Sequence, residues 1–221
     1  MTQKLAGVLL DIDGTLVDSN DGNARAWFEA LLAQGIEVSY VKIREAVGMG
    51  GDNLLPTVAK VKKDSPEGEA ASKACAEIFK SKYQSGVKAF PQVKELLTRL
   101  HGMGLKLVVA TSGKKEQAHA MLELTGALGL IDVMATAEDA ESSKPAPDII
   151  QAALKKSGLA PGEVIMLGDT PYDVQAARKA GVGIVGLRCG GWGAPDLKGA
   201  LAVYDGPANL LAHLEASPLS A

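Results

Sequence analysis

The stretch Leu5-Ala6-Gly7-Val8-Leu9-Leu10-Asp11-Ile12-Asp13-Gly14-Thr15-Leu16-Val17 decides how the rest of the chain is read. Its first six residues are apolar without polar alternation, the pattern of a strand buried on both faces. Two carboxylates, Asp11 and Asp13, follow where that strand should end. Gly14 then permits a sharp turn or a close approach to a ligand. Carboxylates at the carboxyl end of a buried parallel strand stand where open α/β sheets place their ligands. One carboxylate can attack as a nucleophile while its neighbour moves protons. Alone, the pair fits an acidic turn equally well, so the reading depends on the segments that follow.

Outward from this stretch the chain changes character twice. From about Asp21 to Tyr83 the apolar residues recur at helical spacing, as in Ala24, Trp27, Phe28, Leu31 and Leu32. Gly35 ends that first helix, and Ser39 caps a second one running through Val47. Gly48 to Asn53 reads as a loop. A third helix is expected over Leu54–Lys62, with Pro56 in its first turn, and a fourth over Pro66–Ser85. Trp27 and Phe28 are read as packing this helical insert. After Gly86, apolar runs and helical stretches alternate. Strands are expected at 105–110, 131–135, 164–167 and 183–187, with a possible sixth at 202–204. Helices are expected to open at Pro91, Lys114, Pro145 and Tyr172, with a last one at 208–214. Strands separated by single helices imply a parallel sheet with right-handed crossovers. The expected fold is thus α/β, a Rossmann-like doubly wound parallel sheet of order 3-2-1-4-5. Residues 1–17 and 88–221 form the core, and residues 18–87 form an inserted α-helical cap. Gly22 and Gly86 are expected to absorb hinge rotation of the cap.

Composition narrows the function. The 221 residues include 47% hydrophobic ones, enough for one large domain, or one domain with a small insert. A formal net charge of −3 and 4% aromatic content argue against nucleic acid and anionic membrane as partners. No apolar run approaches the roughly 20 residues of a membrane span. Cys75 and Cys189 have neither metal-type spacing nor a disulfide framework, so a reduced, cytoplasmic setting is expected.

Three later segments carry chemistry. Thr111-Ser112-Gly113 follows the second strand, where a hydroxyl and free backbone N–H groups at a helix start suit either a phosphate cradle or a simple cap. Lys144 stands just before Pro145, read as the first residue of a helix. A cation there opposes the helix dipole unless an anion lies between, although a solvated surface lysine is the alternative. Gly168-Asp169-Thr170-Pro171-Tyr172-Asp173 is a second acidic turn after a buried strand. Asp169 alone fits a helix N-cap, but Asp169 and Asp173 are four apart and can face one site. With Asp11 they make an oxygen-rich site suited to Mg²⁺. In a 3-2-1-4-5 sheet all four segments converge beside the first strand, where the order reverses.

Together, Asp11-Ile12-Asp13-Gly14-Thr15, Thr111-Ser112, Lys144-Pro145 and Gly168 to Asp173 resemble, in order, the motifs of the haloacid dehalogenase superfamily of aspartate-dependent phosphotransferases. Asp11–Ser19 and Ser143–Asp148 resemble its phosphoglycolate phosphatase and β-phosphoglucomutase branch. The resemblance implies that Asp11 is the nucleophile and forms an aspartyl phosphate. Asp13 then protonates the leaving group and activates water. It also implies that Asp11, the Asp13 backbone carbonyl and Asp169 hold Mg²⁺, with Asp173 behind them orienting the metal shell. Thr111, Ser112, Gly113 and Lys144 bind the phosphoryl group. The expected activity is hydrolysis of a small phosphorylated metabolite, phosphoglycolate or a sugar phosphate, by a monomer or weak homo-oligomer.

Other readings fit less well. A dehalogenase needs neither Asp13 nor Mg²⁺. A phosphonoacetaldehyde hydrolase needs a cap lysine, and the 48–53 loop has none. A β-phosphoglucomutase-like phosphomutase carries a histidine where this chain has Asn23, and usually lacks a counterpart of Asp173. A non-catalytic phosphate-binding module would be expected to have lost Asp11 or Asp13. Gly181-x-Gly183-x-x-Gly186 matches a dinucleotide fingerprint by letters, but it precedes and enters a strand, the wrong context. His101, His119 and His213 are read as surface or packing residues. Cys189-Gly190-Gly191-Trp192-Gly193 is read as a mobile surface loop rather than a border of the site.

Overall fold

The computed structural model describes residues 4–220. They fall into two compact units: one ends at Asp18 and resumes at Lys88, and the other is Ser19–Val87.

The first unit is built on six strands: β1 (Gly7–Leu10), β2 (Lys106–Ala110), β3 (Val133–Ala135), β4 (Val164–Gly168), β5 (Gly183–Leu187) and β6 (Ala202–Tyr204). They form one sheet of order β3-β2-β1-β4-β5-β6, and every pairing is parallel. This is the expected order with the sixth strand added at the edge. The order reverses at β1, which therefore lies between β2 and β4. All four β1 residues are buried, as their unbroken apolar run requires. The register sets Leu9 beside Val108 and Met166, and Met166 beside Ile184. This row packs against helices α7 (Asp148–Ser157), through Ile149, Ile150 and Ala153, and α8 (Pro171–Lys179), through Val174 and Ala177. Helix α5 (Val93–Gly102) packs on β2 and on α9 (Pro207–Ala212). It buries Val93, Leu96, Leu97 and Leu100, the i, i+3, i+4, i+7 stripe of an amphipathic helix. Helix α6 (Lys115–Thr125) connects β2 to β3.

The second unit holds α1 (Asn20–Leu32), α2 (Tyr40–Ala46), α3 (Gly51–Ala59) and α4 (Pro66–Ile78), with no strand among its described residues. Ala24, Leu31, Ile43, Leu55 and Ala71 form its core, and Trp27 and Phe28 pack against them as expected. Ser39 caps α2, accepting from Lys42 N.

Several boundaries differ from expectation, each for a local reason. The Gly50 carbonyl accepts from Asn53 and Leu54 N–H, so α3 opens at Gly51 and Pro56 falls in its interior. The helix expected to run through Ser85 becomes π-helical over Phe79–Tyr83 and 3₁₀ over Gln84–Gly86. Phe90 N–H donates to the Leu16 carbonyl, which holds Pro91 in a turn and delays α5 to Val93. The helix expected from Pro145 starts only at Asp148.

Candidate active site

The site is assembled at the carboxyl ends of β1, β2 and β4. Asp11 N–H donates to the Leu167 carbonyl at 3.0 Å, which extends the β1–β4 ladder one step and sets Asp11 beside the Gly168-Asp169 turn. Past Asp11 the chain turns tightly. The Ile12 carbonyl accepts from Thr15, Leu16 and Val17, and Gly14 takes a φ of 78°, which favours glycine. Asp18 N–H then donates to the Lys88 carbonyl, so the two ends of the first unit's chain meet beside the turn.

Asp11, Asp169 and Asp173 each present a carboxylate oxygen within 4.8 Å of the other two, and all three residues are buried. Lys144 reaches this cluster from the loop before α7. Its Nζ lies 2.5 Å from Asp11 Oδ1 and 2.6 Å from Asp173 Oδ1, and its side chain is only 2% exposed. The sequence left Lys144 either beside an anion at a helix start or as a solvated surface lysine. It is not solvated: it is buried against two carboxylates, and Ala146 N–H donates to the Ser143 carbonyl, which folds residues 143–146 into a turn. The Lys144–Pro145 peptide bond is cis.

Asp173 has two engagements. Its Oδ2 accepts from Thr170 N–H at 3.0 Å and from the Thr170 hydroxyl at 2.7 Å, while Thr170 Oγ1 accepts from Asp173 N–H. This reciprocal capping box opens α8 and fixes the side chain. Its Oδ1 faces Lys144. Asp173, expected behind the metal shell, therefore puts an oxygen inside the cluster itself. Thr170, not Asp169, is the N-cap, which leaves Asp169 for the site. Thr15 donates its hydroxyl to Asp169 Oδ1 at 2.9 Å.

The electrostatics follow from burial. The Asp11 carboxyl is pushed up to about 7, first by burial. The Lys144 ammonium opposes that rise, and the neighbouring Asp173 and Asp13 charges reinforce it. Burial acts to lower the Lys144 pKa, but the charges of Asp11 and Asp173 and the hydrogen bonds to both outweigh it, so its net shift is upward. Three crowded carboxylates balanced by one ammonium leave an excess of negative charge that a cation relieves. The donors are all oxygens, the set that hard divalent cations take.

A Cβ on Gly113 would stand 3.4 Å from Thr111 Oγ1 and 3.9 Å from Asp13 Oδ2, so this turn and the Asp13 carboxylate share one edge of the site. Ser112 Oγ accepts weakly from Lys144 N–H at 3.4 Å. The expected free N–H cradle is modified here. Gly113 N–H donates to Thr111 Oγ1, and Lys115 N–H, at the start of α6, already faces the Glu138 carboxylate. The turn thus brings side-chain oxygens and the Lys144 backbone together at this edge of the site.

Two neighbours of the site were not among the expected site residues. Thr15 lies one turn past Asp11, and its hydroxyl was the available signal. Residues 189–193, expected to be a mobile surface loop, begin within the turn Arg188–Gly190 after β5. It lies instead against the site: Cys189 Sγ donates to the Gly14 carbonyl at 3.3 Å, and Gly190 backs onto Asp169. The Gly190-Gly191 pair at a strand end was the signal for a close approach.

Comparison with known proteins agrees with this geometry. The model of the family described as haloacid dehalogenase-like hydrolase matches residues 8–187. The chain belongs to the haloacid dehalogenase-like hydrolase family. It is 30% identical over 210 residues to a phosphoglycolate phosphatase of Salmonella typhi, covering 85% of this chain and 83% of that protein. It is 34% identical over 190 residues to the chloroplastic protein SUPPRESSOR OF QUENCHING 1 of Arabidopsis thaliana, of which it spans 18% of the length and which covers 84% of this chain. Among solved structures it resembles a hydrolase from Pseudomonas syringae, with a TM-score of 0.89 and 34% identity over 96% of this chain and 98% of the other.

Proposed function

We propose that the protein is a Mg²⁺-dependent phosphatase that hydrolyses a small phosphate monoester through an aspartyl-phosphate intermediate. The buried cluster of Asp11, Asp169 and Asp173 with Lys144 carries this reading. An anionic nucleophile must approach an anionic phosphate, and only concentrated positive charge makes that approach feasible. Asp11, the Asp13 backbone carbonyl and Asp169 would hold the Mg²⁺, with Asp173 steadying them. When bound, the ion neutralises phosphoryl oxygens and offsets charge developing in the transition state.

In the first step an Asp11 carboxylate oxygen attacks phosphorus, and the bond from phosphorus to the ester oxygen breaks. Asp13 gives its proton to the departing oxygen. In the second step Asp13 takes a proton from water, the water oxygen attacks phosphorus, and Asp11 leaves as a carboxylate with inorganic phosphate. General acid–base help of this kind is worth roughly 10²–10⁴-fold. Thr111, Ser112, Gly113 and Lys144 bind the phosphoryl oxygens, and the Lys144 ammonium favours the ionised form of Asp11 against burial. Residues 18–87 are the cap of this enzyme. The first candidate substrate is 2-phosphoglycolate, the class named in a relative, and a sugar phosphate is the second.

The test is ³¹P NMR with Mg²⁺, following 2-phosphoglycolate in one tube and β-glucose 1-phosphate with a bisphosphate primer in another. Release of inorganic phosphate from the monoester is expected. Rapid formation of glucose 6-phosphate with little free phosphate would overturn the proposal in favour of a mutase. No turnover of any monoester in a broad panel would overturn the enzymatic reading as a phosphatase.

A further inference from the structure

Gly190 is buried at the end of the Arg188–Gly190 turn. A Cβ placed on it would stand 1.7 Å from Asp169 Oδ2, 2.4 Å from Asp169 Cγ and 2.7 Å from Asp169 Cβ. Carbon atoms in contact prefer separations of about 3.5–4.0 Å. The backbone at Gly190 is not in the left-handed region, unlike Gly191 with φ 97°, so its conformation accepts any residue. The three atoms nearest to such a Cβ all belong to Asp169.

Neither partner is free to give way. Asp169 is fully buried, and its Oδ1 accepts from the Thr15 hydroxyl. The turn is tied to the first acidic motif by the Cys189 thiol and the Gly14 carbonyl. It is anchored behind by Leu187, buried in β5. Asp173 is seated in the same manner, since a Cβ on Gly168 would stand 2.7 Å from its Cβ and Cγ.

We propose that Gly190 is a positioning residue for the metal carboxylate: its bare backbone is the wall against which Asp169 Oδ2 is set. The Cys189–Gly14 contact keeps that wall in step with the turn that carries Asp11 and Asp13. The inference rests on the reading of Asp169 as a ligand of a divalent cation. A methyl group at this position must push the carboxylate oxygen by about 1.8 Å or more to restore contact distance. Mg²⁺ demands near-ideal geometry at about 2.0–2.1 Å, so a displacement of that size removes a ligand.

The experiment uses the full chain stripped of metal. Mg²⁺ affinity is measured by titration calorimetry for the wild type, Gly190→Ala and Gly129→Ala. A Cβ at Gly129 has no atom within 4 Å. At least tenfold weaker binding is expected for Gly190→Ala and none for the control. In parallel, urea unfolding in EDTA follows Gly190→Ala alone and in an Asp169→Gly background, which removes all three contacts. Its destabilisation is expected to shrink by more than half there; a residue that merely packs the turn would not couple to Asp169. If Gly190→Ala does not fold alone, folding of the double variant supports the proposal and its failure overturns it. Unchanged Mg²⁺ affinity in folded Gly190→Ala overturns the proposal and leaves the metal reading standing. A wild type that binds no divalent cation overturns both.

Discussion

Replacing Lys144 with methionine probes the balance of charge on which the site depends. The lysine Nζ is 2.5 Å from Asp11 and 2.6 Å from Asp173, and the side chains are 2%, 8% and 0% exposed. Methionine fills most of the volume and removes the charge. Breaking a buried pair from one side costs about 3–5 kcal/mol, because the remaining charge is left uncompensated. A chain of this size loses about 2–4 °C per kcal/mol, so the unfolding midpoint should fall by roughly 6–20 °C in EDTA. The loss must also depend on pH. Asp11 in the folded protein lies at about 7, above its ordinary 3.8, even with Lys144 pulling it down. Without the lysine it rises further. A carboxyl raised on folding binds more protons folded than unfolded, so its contribution becomes less favourable as pH rises through that window. The Lys144 pKa is raised, so its own contribution is fully present below its ordinary 10.5 and is constant between pH 5 and 8. The deficit of Lys144→Met should therefore be largest at pH 8 and shrink toward pH 5.5. Urea or thermal unfolding of both proteins at the two pH values decides. Equal stability at pH 8, or a deficit independent of pH, refutes the reasoning.

Asp11→Asn should fold and lose turnover to a trace, because the amide cannot attack; Mg²⁺-dependent activity above a trace would remove Asp11 as nucleophile. EDTA should silence the enzyme and Mg²⁺ restore it, and full activity in chelator would remove the metal-assisted mechanism. Thr15→Val should cost about 1–3 kcal/mol by leaving Asp169 short of a buried donor, and should raise the Mg²⁺ concentration needed for half-maximal activity. The Cys75 thiol is pushed up to about 12 by burial, and Cys189 to about 12 by burial and then the Asp169 charge. At pH 8 both should react with a disulfide reagent about a thousandfold more slowly than in the urea-unfolded chain, and fast labelling of the folded protein would contradict this.

Much of the fold was legible because its signals are local. The unbroken apolar run before Asp11 reads as a doubly buried strand without any partner in view, and the same holds for 107–110 and 164–167. The spacing of Val93, Leu96, Leu97 and Leu100 reports a helix face. Carboxylates at two strand ends mark the site once the sheet is known to be parallel. The boundaries that slipped did so where a distant group intervened, as when Phe90 pairs with Leu16 and holds Pro91 out of its helix.

The sequence by itself determined the strands, the helical insert and the residue types that gather at the site. The tertiary structure alone decided who faces whom. Lys144 reads as a cation before a helix because proline is common at a first helical position. Its actual partners, Asp11 and Asp173, lie 133 and 29 residues away, and they meet it only because β1 lies beside β4 at the reversal of strand order. Thr15 reaches Asp169 for the same reason, across 154 residues. Gly190 shows the limit most plainly. Its own backbone is not in the left-handed region, so turn geometry does not explain the glycine there. The arrival of a buried carboxylate from the neighbouring strand end is what stands closest to any side chain placed there.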